Sequence, residues 1–229
     1  MSIKNIKNDI YNELIEHKIF QIQQFDNNTN NVVNNVNNVV NNKRPYLLNQ
    51  SKIFNFPILF DNITLYIENI IKTKNLTFDK LCACSVNAIP FVTNVSTTFK
   101  KPFIYIKPTT EDNIKYDLKN IKIEGQFNGD ENILLIETIT SPTFYLENIL
   151  HKLRKYGSNV IGLIIIFNLN EGEYINLIQN NEIIFNVVNI TDILSYMENN
   201  NLIDIFYSEQ IKHYYEKRLK HTLQSNNNI

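Results

Sequence analysis

The run "NVIGLIIIF" at residues 159–167 is the feature that most constrains the fold, because it is apolar at almost every position. A short run of this kind, rich in β-branched residues, indicates a strand that is buried on both faces. Such strands occur in parallel sheets that are covered by helices on each side. We therefore predict an α/β fold in which a central parallel sheet has helices on both faces.

The rest of the chain alternates between the two periodicities that this fold requires. Strands are predicted at 79–84, 102–107, 132–137, 159–167 and 183–190. Helices are predicted at 56–74, 88–98 (with Pro90 in the first turn), 143–156 (ended by Gly157), 191–199 and 208–222. The chain begins with an amphipathic helix and a short strand within residues 3–25, and residues 108–122 are polar and lysine-rich, which predicts a mobile loop.

Residues 27–42, "NNTNNVVNNVNNVVNN", contain ten asparagines in sixteen positions. This segment has too little apolar surface to offset the entropy of ordering it, so we predict a disordered insertion. Neutral repeat expansion is the favoured interpretation, and an assembly or aggregation tract is the alternative. The predicted organisation is an N-terminal hood (1–26 and 43–55), a core (56–207) and a C-terminal helix and tail (208–229).

Charge and composition exclude several classes of partner. The 22 Lys+Arg residues balance 23 Asp+Glu residues, which gives no electrostatic case for nucleic acid or an anionic membrane. The N-terminus lacks the apolar region of a signal peptide, and the run at 160–167 is too short to cross a bilayer. We expect a cytoplasmic or other intracellular protein. The abundance of Asn and Ile is typical of AT-rich genomes, as in some protists and large DNA viruses.

The two cysteines, Cys82 and Cys84, lie two positions apart in an apolar run. We expect their side chains to point to opposite or adjacent faces of a strand and to form no disulfide bond. This expectation indicates a reducing compartment.

Four segments resemble the orotate phosphoribosyltransferase family in order and spacing. They are "RPYLLN" (44–49), "LCACSVNAIPFVTN" (81–94), "LLIETITSPTFYLENILHKLRKYGSNVIGLIIIFNLNEG" (134–172) and "IIFNVVNITDILSYMENNNLI" (183–203). The resemblance implies a phosphoribosyltransferase-like fold and a homodimer. It also implies a site that transfers ribose 5-phosphate from phosphoribosyl pyrophosphate, with Mg²⁺, to orotate.

The phosphoribosyl part of that implied site is altered in this chain. Glu137 and Thr138 stand where the family has two adjacent carboxylates for the ribose hydroxyls. The 5-phosphate loop, small and glycine-rich in the family, corresponds here to residues 141–145, "SPTFY". Ser141 and Thr143 keep hydroxyl groups, but proline has no N–H to donate and the two aromatic rings prevent close approach of a phosphate.

The pyrophosphate and base positions are altered as well. The family's Pro-Tyr-Gly-Gly stretch corresponds to residues 85–88, where both glycines are absent, although Asn87 can still take a left-handed conformation. The family's Asp-Arg pair corresponds to Asn168 and Leu169, and a leucine cannot make the arginine's contacts to orotate.

The lysine-rich loop matches the family's mobile loop only in part. It supplies Lys107 at the strand-end basic position, and then Lys115, Lys119 and Lys122, but no histidine. Ile123, Glu124 and Gly125 match the segment that follows this loop in the family.

Other constellations give no competing site. The histidines His17, His151, His213 and His221 are scattered, "CAC" lacks the spacing of a zinc motif, and no G-x-S-x-G element is present. We predict no metal site of the protein's own. For Glu137, two interpretations stay open: a remnant ribose contact, or a partner of the helix dipole or cap. The C-terminal helix is predicted to pack on the domain, with a docking helix as the alternative.

The sequence thus predicts an orotate phosphoribosyltransferase-like pseudoenzyme with a structural or protein-interaction role. It is expected to be a homodimer with an unknown protein partner and no cofactor. The alternative is a divergent transferase that uses Mg²⁺ with phosphoribosyl pyrophosphate and forms orotidine monophosphate. A third hypothesis is a phosphate or nucleotide sensor without turnover.

Overall fold

The computed structural model describes residues 3–23, 45–107, 121–140, 145–169, 177 and 182–226. The predicted disordered insertion at 27–42 and nearly all of the predicted loop at 108–122, with Lys115 and Lys119, lie outside these residues. The same is true of Ser141 and Thr143 of the "SPTFY" turn.

Eight strands are present in the described part of the chain. They are β1 (Phe20–Ile22), β2 (Tyr46–Leu48), β3 (Lys80–Ala83), β4 (Phe103–Lys107), β5 (Lys122–Glu124), β6 (Asn132–Ile139), β7 (Asn159–Asn168) and β8 (Ile184–Asn189). The helices are α1 (Ile3–Glu16), α2 (Pro57–Thr73), α3 (Ile89–Phe99), α4 (Tyr145–Lys155), α5 (Ile190–Asn199) and α6 (Ile205–Asn226). Short 3-10 turns, Gln50–Asn55 and Val86–Ala88, precede α2 and α3.

Six strands form the central sheet in the order β5-β4-β3-β6-β7-β8. The pairs β3–β4, β3–β6, β6–β7 and β7–β8 are parallel, and β5 runs antiparallel to β4 at one edge. The predicted α/β fold with a largely parallel sheet is therefore confirmed. The sequence did not predict β5, because this strand is only three residues long and begins at the end of a polar segment.

Each face of the sheet carries its own hydrophobic core, since successive side chains of a strand point to opposite faces. Leu134 and Ile136 lie in the core that the sheet shares with α1, α2, α3 and α5. Ile133 and Leu135 lie in the second core, which α4 covers with its strongly amphipathic face. The strands are therefore apolar on both sides because each side faces a hydrophobic core.

Cys82 and Cys84 are both free and fully buried in the second core. The expectation that they would point to different faces is wrong, because residues two apart on a strand share a face.

The hood consists of α1 and the antiparallel pair β1–β2, in which Phe20 lies opposite Leu48. Side chains of α1 are part of the first core, so the hood packs directly on the main sheet layer. Lys7 Nζ also lies 2.7 Å from a carboxylate oxygen of Asp192 on α5. The hood therefore sits over one face of the sheet, close to the carboxyl end of β7.

The C-terminal helix α6 packs on the domain through its first turns. Ile211 and Tyr214 are buried, and Lys212 lies 2.7 Å from Glu198 of α5. The side chains of Tyr215 and Leu219, further along α6, lie outside the described part. None of the described helices is long and apolar enough to span a membrane.

Candidate functional site

The carboxyl ends of β3, β6 and β7 meet at one edge of the sheet, where parallel α/β sheets bind their ligands. We call this place the carboxyl-end site and define it by Ser85, Glu137, Thr138, Tyr145 and Leu169. The polypeptide turns from strand to helix after β3 and after β6. Each side chain of the site is thus placed by a strand end or by the first turn of a helix.

Glu137, near the end of β6, faces its neighbours in the protein rather than solvent. It is only 3% exposed. Its Oε1 accepts a hydrogen bond from Ser85 Oγ at 2.6 Å and two from Thr138, at 2.5 Å from N and 3.0 Å from Oγ1. The carboxyl group therefore ties the end of β6 to the end of β3. Burial raises the pKa of Glu137, and the hydrogen bonds from Ser85 and Thr138 oppose that rise.

This raised pKa makes stability depend on pH in a defined direction. The folded protein binds the Glu137 proton more tightly than the unfolded chain does. The free energy of unfolding that this proton contributes is thus present at low pH and is lost as pH rises above about 4.3, the usual value for glutamate. We expect Glu137→Gln to gain stability over the wild type as pH rises through this window, because the amide stays neutral and can still accept a hydrogen bond.

Denaturant unfolding of both proteins from acidic to mildly alkaline pH checks this prediction. Glu209→Gln is the matched control, because Glu209 is an exposed acid on α6. Its difference from the wild type gives the effect of a Glu→Gln change at an exposed position. Parallel pH curves for Glu137→Gln and the wild type would contradict the prediction.

Tyr145, the first residue of α4, spans the gap between α4 and β3. Its phenol donates a hydrogen bond of 2.6 Å to the backbone carbonyl of Cys84, the residue that follows β3. The ring is only partly exposed and packs against the second core. An aromatic side chain thus lies across the carboxyl ends of β3 and β6, at the position where the resembled family closes its phosphate loop with a small residue.

The segment after β3 winds directly into a helix. Ser85 is extended, and residues 86–88 form the 3-10 turn that leads into α3, with Pro90 in its first turn. Asn87 is not among the described non-glycine residues with positive φ. Asn87 therefore does not use the left-handed conformation that asparagine can take, because a 3-10 turn uses right-handed backbone angles. Val86 is 60% exposed, so the turn presents an apolar side chain to solvent.

Asn168 and Leu169, the implied base position, are part of the protein interior. Asn168 is fully buried and Leu169 is 2% exposed. They line a cavity of about 10 Å³ together with Leu14, Phe20 and Leu48 of the hood. Such a space holds about one water molecule, and a base would not fit in it. Hood side chains therefore cover Leu169 at the end of β7.

Lys107 is exposed at the end of β4, one strand away from Ser85. It lies opposite Lys122 of β5, which pairs with Glu124 at 2.8 Å. The hydrogen bond from Lys122, together with the charges of Lys122 and Lys107, lowers the pKa of Glu124 although burial opposes this. The end of β4 therefore presents the exposed cation of Lys107, while Glu124 on the neighbouring strand is paired with Lys122.

Gly125, which the resemblance matched after the loop, is explained by packing. Its φ is +102°, and a Cβ there would lie 2.9 Å from Ile104 Cγ2. The glycine is thus required for the close approach of the chain to β4.

The described part of the carboxyl-end site offers a single acid to a metal ion. The described residues contain no group of three or more His, Cys, Asp or Glu side chains that could hold an ion. Mg²⁺ is usually held by one or two carboxylates and by substrate phosphates. Glu137 is the one acid of the carboxyl-end site as defined above, and Ser85 and Thr138 already occupy one of its oxygens.

Two contacts of the site were not predicted from the sequence: the bond from Ser85 to Glu137 and the bond from Tyr145 to the Cys84 carbonyl. Both join residues more than fifty positions apart. A tyrosine in a turn where small residues are expected was a visible signal. Its partner depended on the packing of β3 beside β6.

Comparison of the sequence with family models gives no match. Curated proteins do match: the chain is 24% identical over 213 residues to the orotate phosphoribosyltransferase of Sulfurisphaera tokodaii, covering 93% of this chain and 100% of that protein. It is 22% identical over 201 residues to the orotate phosphoribosyltransferase of Malacoplasma penetrans, covering 87% and 91%.

Solved structures give the same fold at lower identity. The orotate phosphoribosyltransferase of Aeropyrum pernix superposes with a TM-score of 0.65 at 11% identity, over 82% of this chain and 98% of that one. That of Francisella tularensis gives 0.64 at 17% identity, over 90% and 93%. Leishmania donovani UMP synthase gives 0.66 at 16% identity, over 92% of this chain and 42% of that one. Weak sequence similarity and a shared fold thus fit a divergent relative of the orotate phosphoribosyltransferases.

Proposed function

We propose that this protein is an orotate phosphoribosyltransferase-like pseudoenzyme, which keeps the fold but serves a structural or protein-interaction role. The observation that carries the proposal is that the protein's own side chains fill the carboxyl-end site. Glu137 is engaged by Ser85, the Tyr145 phenol reaches the Cys84 carbonyl, and Leu169 is sealed beneath the hood.

The energetics support a loss of turnover. The implied contacts to ribose, 5-phosphate, pyrophosphate and base are each altered in this sequence. A lost hydrogen bond to a charged group costs about 1.5 to 3 kcal/mol, so four losses amount to about 6 kcal/mol or more. Since every 1.4 kcal/mol is a factor of ten, the rate would fall by about four orders of magnitude.

Titration calorimetry with phosphoribosyl pyrophosphate and Mg²⁺, with and without orotate, tests the proposal on the full chain. We expect no heat of binding at millimolar ligand and no formation of orotidine monophosphate in a parallel turnover assay. The Sulfurisphaera tokodaii orotate phosphoribosyltransferase, assayed alongside, provides the positive control. Micromolar binding would contradict the proposal, and Glu137→Ala in the turnover assay would then locate the ribose contact.

A working, divergent transferase is the second candidate. It is favoured by the match along the full length of the Sulfurisphaera tokodaii protein and by the exposed cation of Lys107 at a strand end. In this hypothesis the remaining groups are sufficient to bind phosphoribosyl pyrophosphate, and Mg²⁺ enters the site with that substrate. These groups are Glu137, Thr138, Lys107 and the hydroxyls of Ser141 and Thr143. Mg²⁺-dependent formation of orotidine monophosphate would establish it.

A sensor that binds without turnover can be distinguished from both candidates by a thermal melt and a turnover assay. Phosphoribosyl pyrophosphate would raise the melting temperature of such a protein, and no product would form. In each reading we propose a homodimer that works inside the cell, as the resemblance implies.

A further inference from the structure

One edge of strand β1 in the hood has no neighbouring strand among the described residues, because β1 pairs with β2 on one side only. On the β2 side, the Ile19 carbonyl accepts a hydrogen bond of 2.8 Å and the Gln23 N–H donates one of 3.0 Å. Alternate residues of an antiparallel strand direct their backbone groups to opposite edges. The N–H and C=O groups of Phe20 and Ile22 therefore point away from β2, toward the open edge.

An open, largely apolar groove of about 430 Å³ lies alongside this edge. All three residues of β1 line it, whereas none of the residues of β2 does. Met197, Leu202 and Ile203, from the end of α5 and the turn to α6, form the opposite wall. We call this space the hood groove. An edge strand whose backbone groups face such a groove is a template for pairing with another chain.

Exposed apolar side chains surround the groove where α6 begins. Leu202 is 49% exposed, Ile205 is 72% exposed and Phe206 is 54% exposed. Three large apolar residues within five positions form a patch of the kind that marks a protein interaction site. The apolar surface thus continues from the groove wall onto the start of α6.

A strand added to this edge would have a defined side-chain pattern. Residues directly opposite each other in neighbouring antiparallel strands point to the same face. Phe20 is buried and Ile22 packs against the first core, so both point to the inner face of the hood. The residues opposite Phe20 and Ile22 would point the same way, toward the apolar wall. The groove therefore fits two apolar side chains at positions i and i+2 of an extended peptide.

The charges of the groove indicate what flanks these apolar residues. Lys18 and Asp204 line it, and neither forms an ion pair within the described ranges. Lys18 lies two residues before β1, so a peptide that runs antiparallel to β1 has its C-terminal end near Lys18. The Asp204 carboxylate is held on the opposite wall by a hydrogen bond of 2.8 Å from the Phe206 N–H. An acidic group at the C-terminal end of the peptide and a basic group toward Asp204 would complement both charges.

We propose that the hood groove binds an extended peptide segment of a partner protein, which adds a third strand beside β1. In this mode of recognition, main-chain hydrogen bonds provide affinity and side-chain pockets provide specificity. The inference rests on the protein-interaction role proposed above and names the class of partner. Its test involves no phosphoribosyl ligand, so peptide binding can fail while the loss of turnover stands.

Panning a phage-displayed library of random linear heptapeptides against the full chain tests the proposal. We expect enriched sequences with apolar residues at positions i and i+2, and fluorescence anisotropy measures the affinity of the synthetic peptides. Leu202→Glu and Lys18→Glu should each weaken binding at least ten-fold, because the first puts a charge on the apolar wall and the second repels the acidic end. Ile58→Asp is the control, since Ile58 is 71% exposed on α2 and does not line the groove. Thermal melts show which variants are folded.

Two measurements on the wild-type chain distinguish strand addition from apolar contact alone. N-methylation of both apolar peptide residues should abolish binding, because their N–H groups donate to the carbonyls of Phe20 and Ile22. N-methylation of the residue between them should have a much smaller effect, since its N–H points away from β1. In hydrogen exchange followed by NMR, the peptide should protect the amides of Phe20 and Ile22 but leave that of Gln21, which faces β2, unchanged.

Four results would overturn the proposal. They are a library without enriched peptides, an affinity unaffected by both Leu202→Glu and Lys18→Glu, an equal loss of affinity for the two N-methylated peptides, and amides of Phe20 and Ile22 already as protected as that of Gln21 in the free protein. The last result would mean that the chain itself or a second copy covers the edge of β1.

Discussion

Replacing Leu169 by arginine, the residue that the family has here, will destabilise the protein by about 4 kcal/mol or more. Leu169 is buried, and none of the described residues that line the cavity beside it is acidic. The guanidinium would have to displace the hood side chains Phe20 and Leu48 or stay in the core without a counter-charge. Denaturant unfolding measures the loss directly.

Leu169→Met is the matched control, because a swap that conserves volume costs less than about 1.5 kcal/mol. An arginine variant as stable as the wild type would show that the hood can open above β7. If that variant also bound orotate, the base site would be present but covered by the hood. This result would support the hypothesis of a divergent transferase.

Replacing Lys80 by methionine will cost about 3 to 5 kcal/mol, the range for breaking a buried ion pair from one side. The Lys80 ammonium lies 3.1 Å from Glu131 Oε1 and donates to the Gln126 carbonyl at 2.6 Å. The Lys80 side chain is 8% exposed and that of Glu131 is 19% exposed, so little water would replace the lost contact. The pair joins the start of β3 to the segment before β6, at the end of the sheet opposite the carboxyl-end site.

The double variant Lys80→Met, Glu131→Gln should recover part of this loss, since it leaves no unpaired charge. Lys72→Ala is the surface control: Lys72 lies 3.6 Å from Glu68 and is 61% exposed, so its removal should cost less than about 1 kcal/mol. Equal losses for Lys80→Met and Lys72→Ala would contradict the structural role assigned to Lys80.

The sheet and its helices were predictable because their signals are local. Residues 159–167 are apolar on both faces. The helix starts at Pro57 and Pro90 and the helix end at Gly157 are each indicated by the backbone preference of a single residue. Strand β5 lacks such a signal, since it is an antiparallel edge pair placed only by its contact with β4.

The position of the candidate site was predictable from the sequence, but the contacts among its residues were not. That Glu137 lies at a strand end follows from the sequence, but its bond to Ser85 depends on β3 lying beside β6. The burial of Leu169 depends on the hood, which returns to the sheet from the far N-terminus. The sequence predicted altered residues at the implied ligand positions, and the tertiary structure shows which side chains these residues contact.

The two hood strands pair across the asparagine-rich tract, which therefore connects Ile22 to Tyr46 in the way that a turn connects a hairpin. The entropy of closing a connection grows only with the logarithm of its length, and each doubling costs about 0.6 kcal/mol. Variants that differ by a few asparagines in this tract should then unfold with nearly the same free energy.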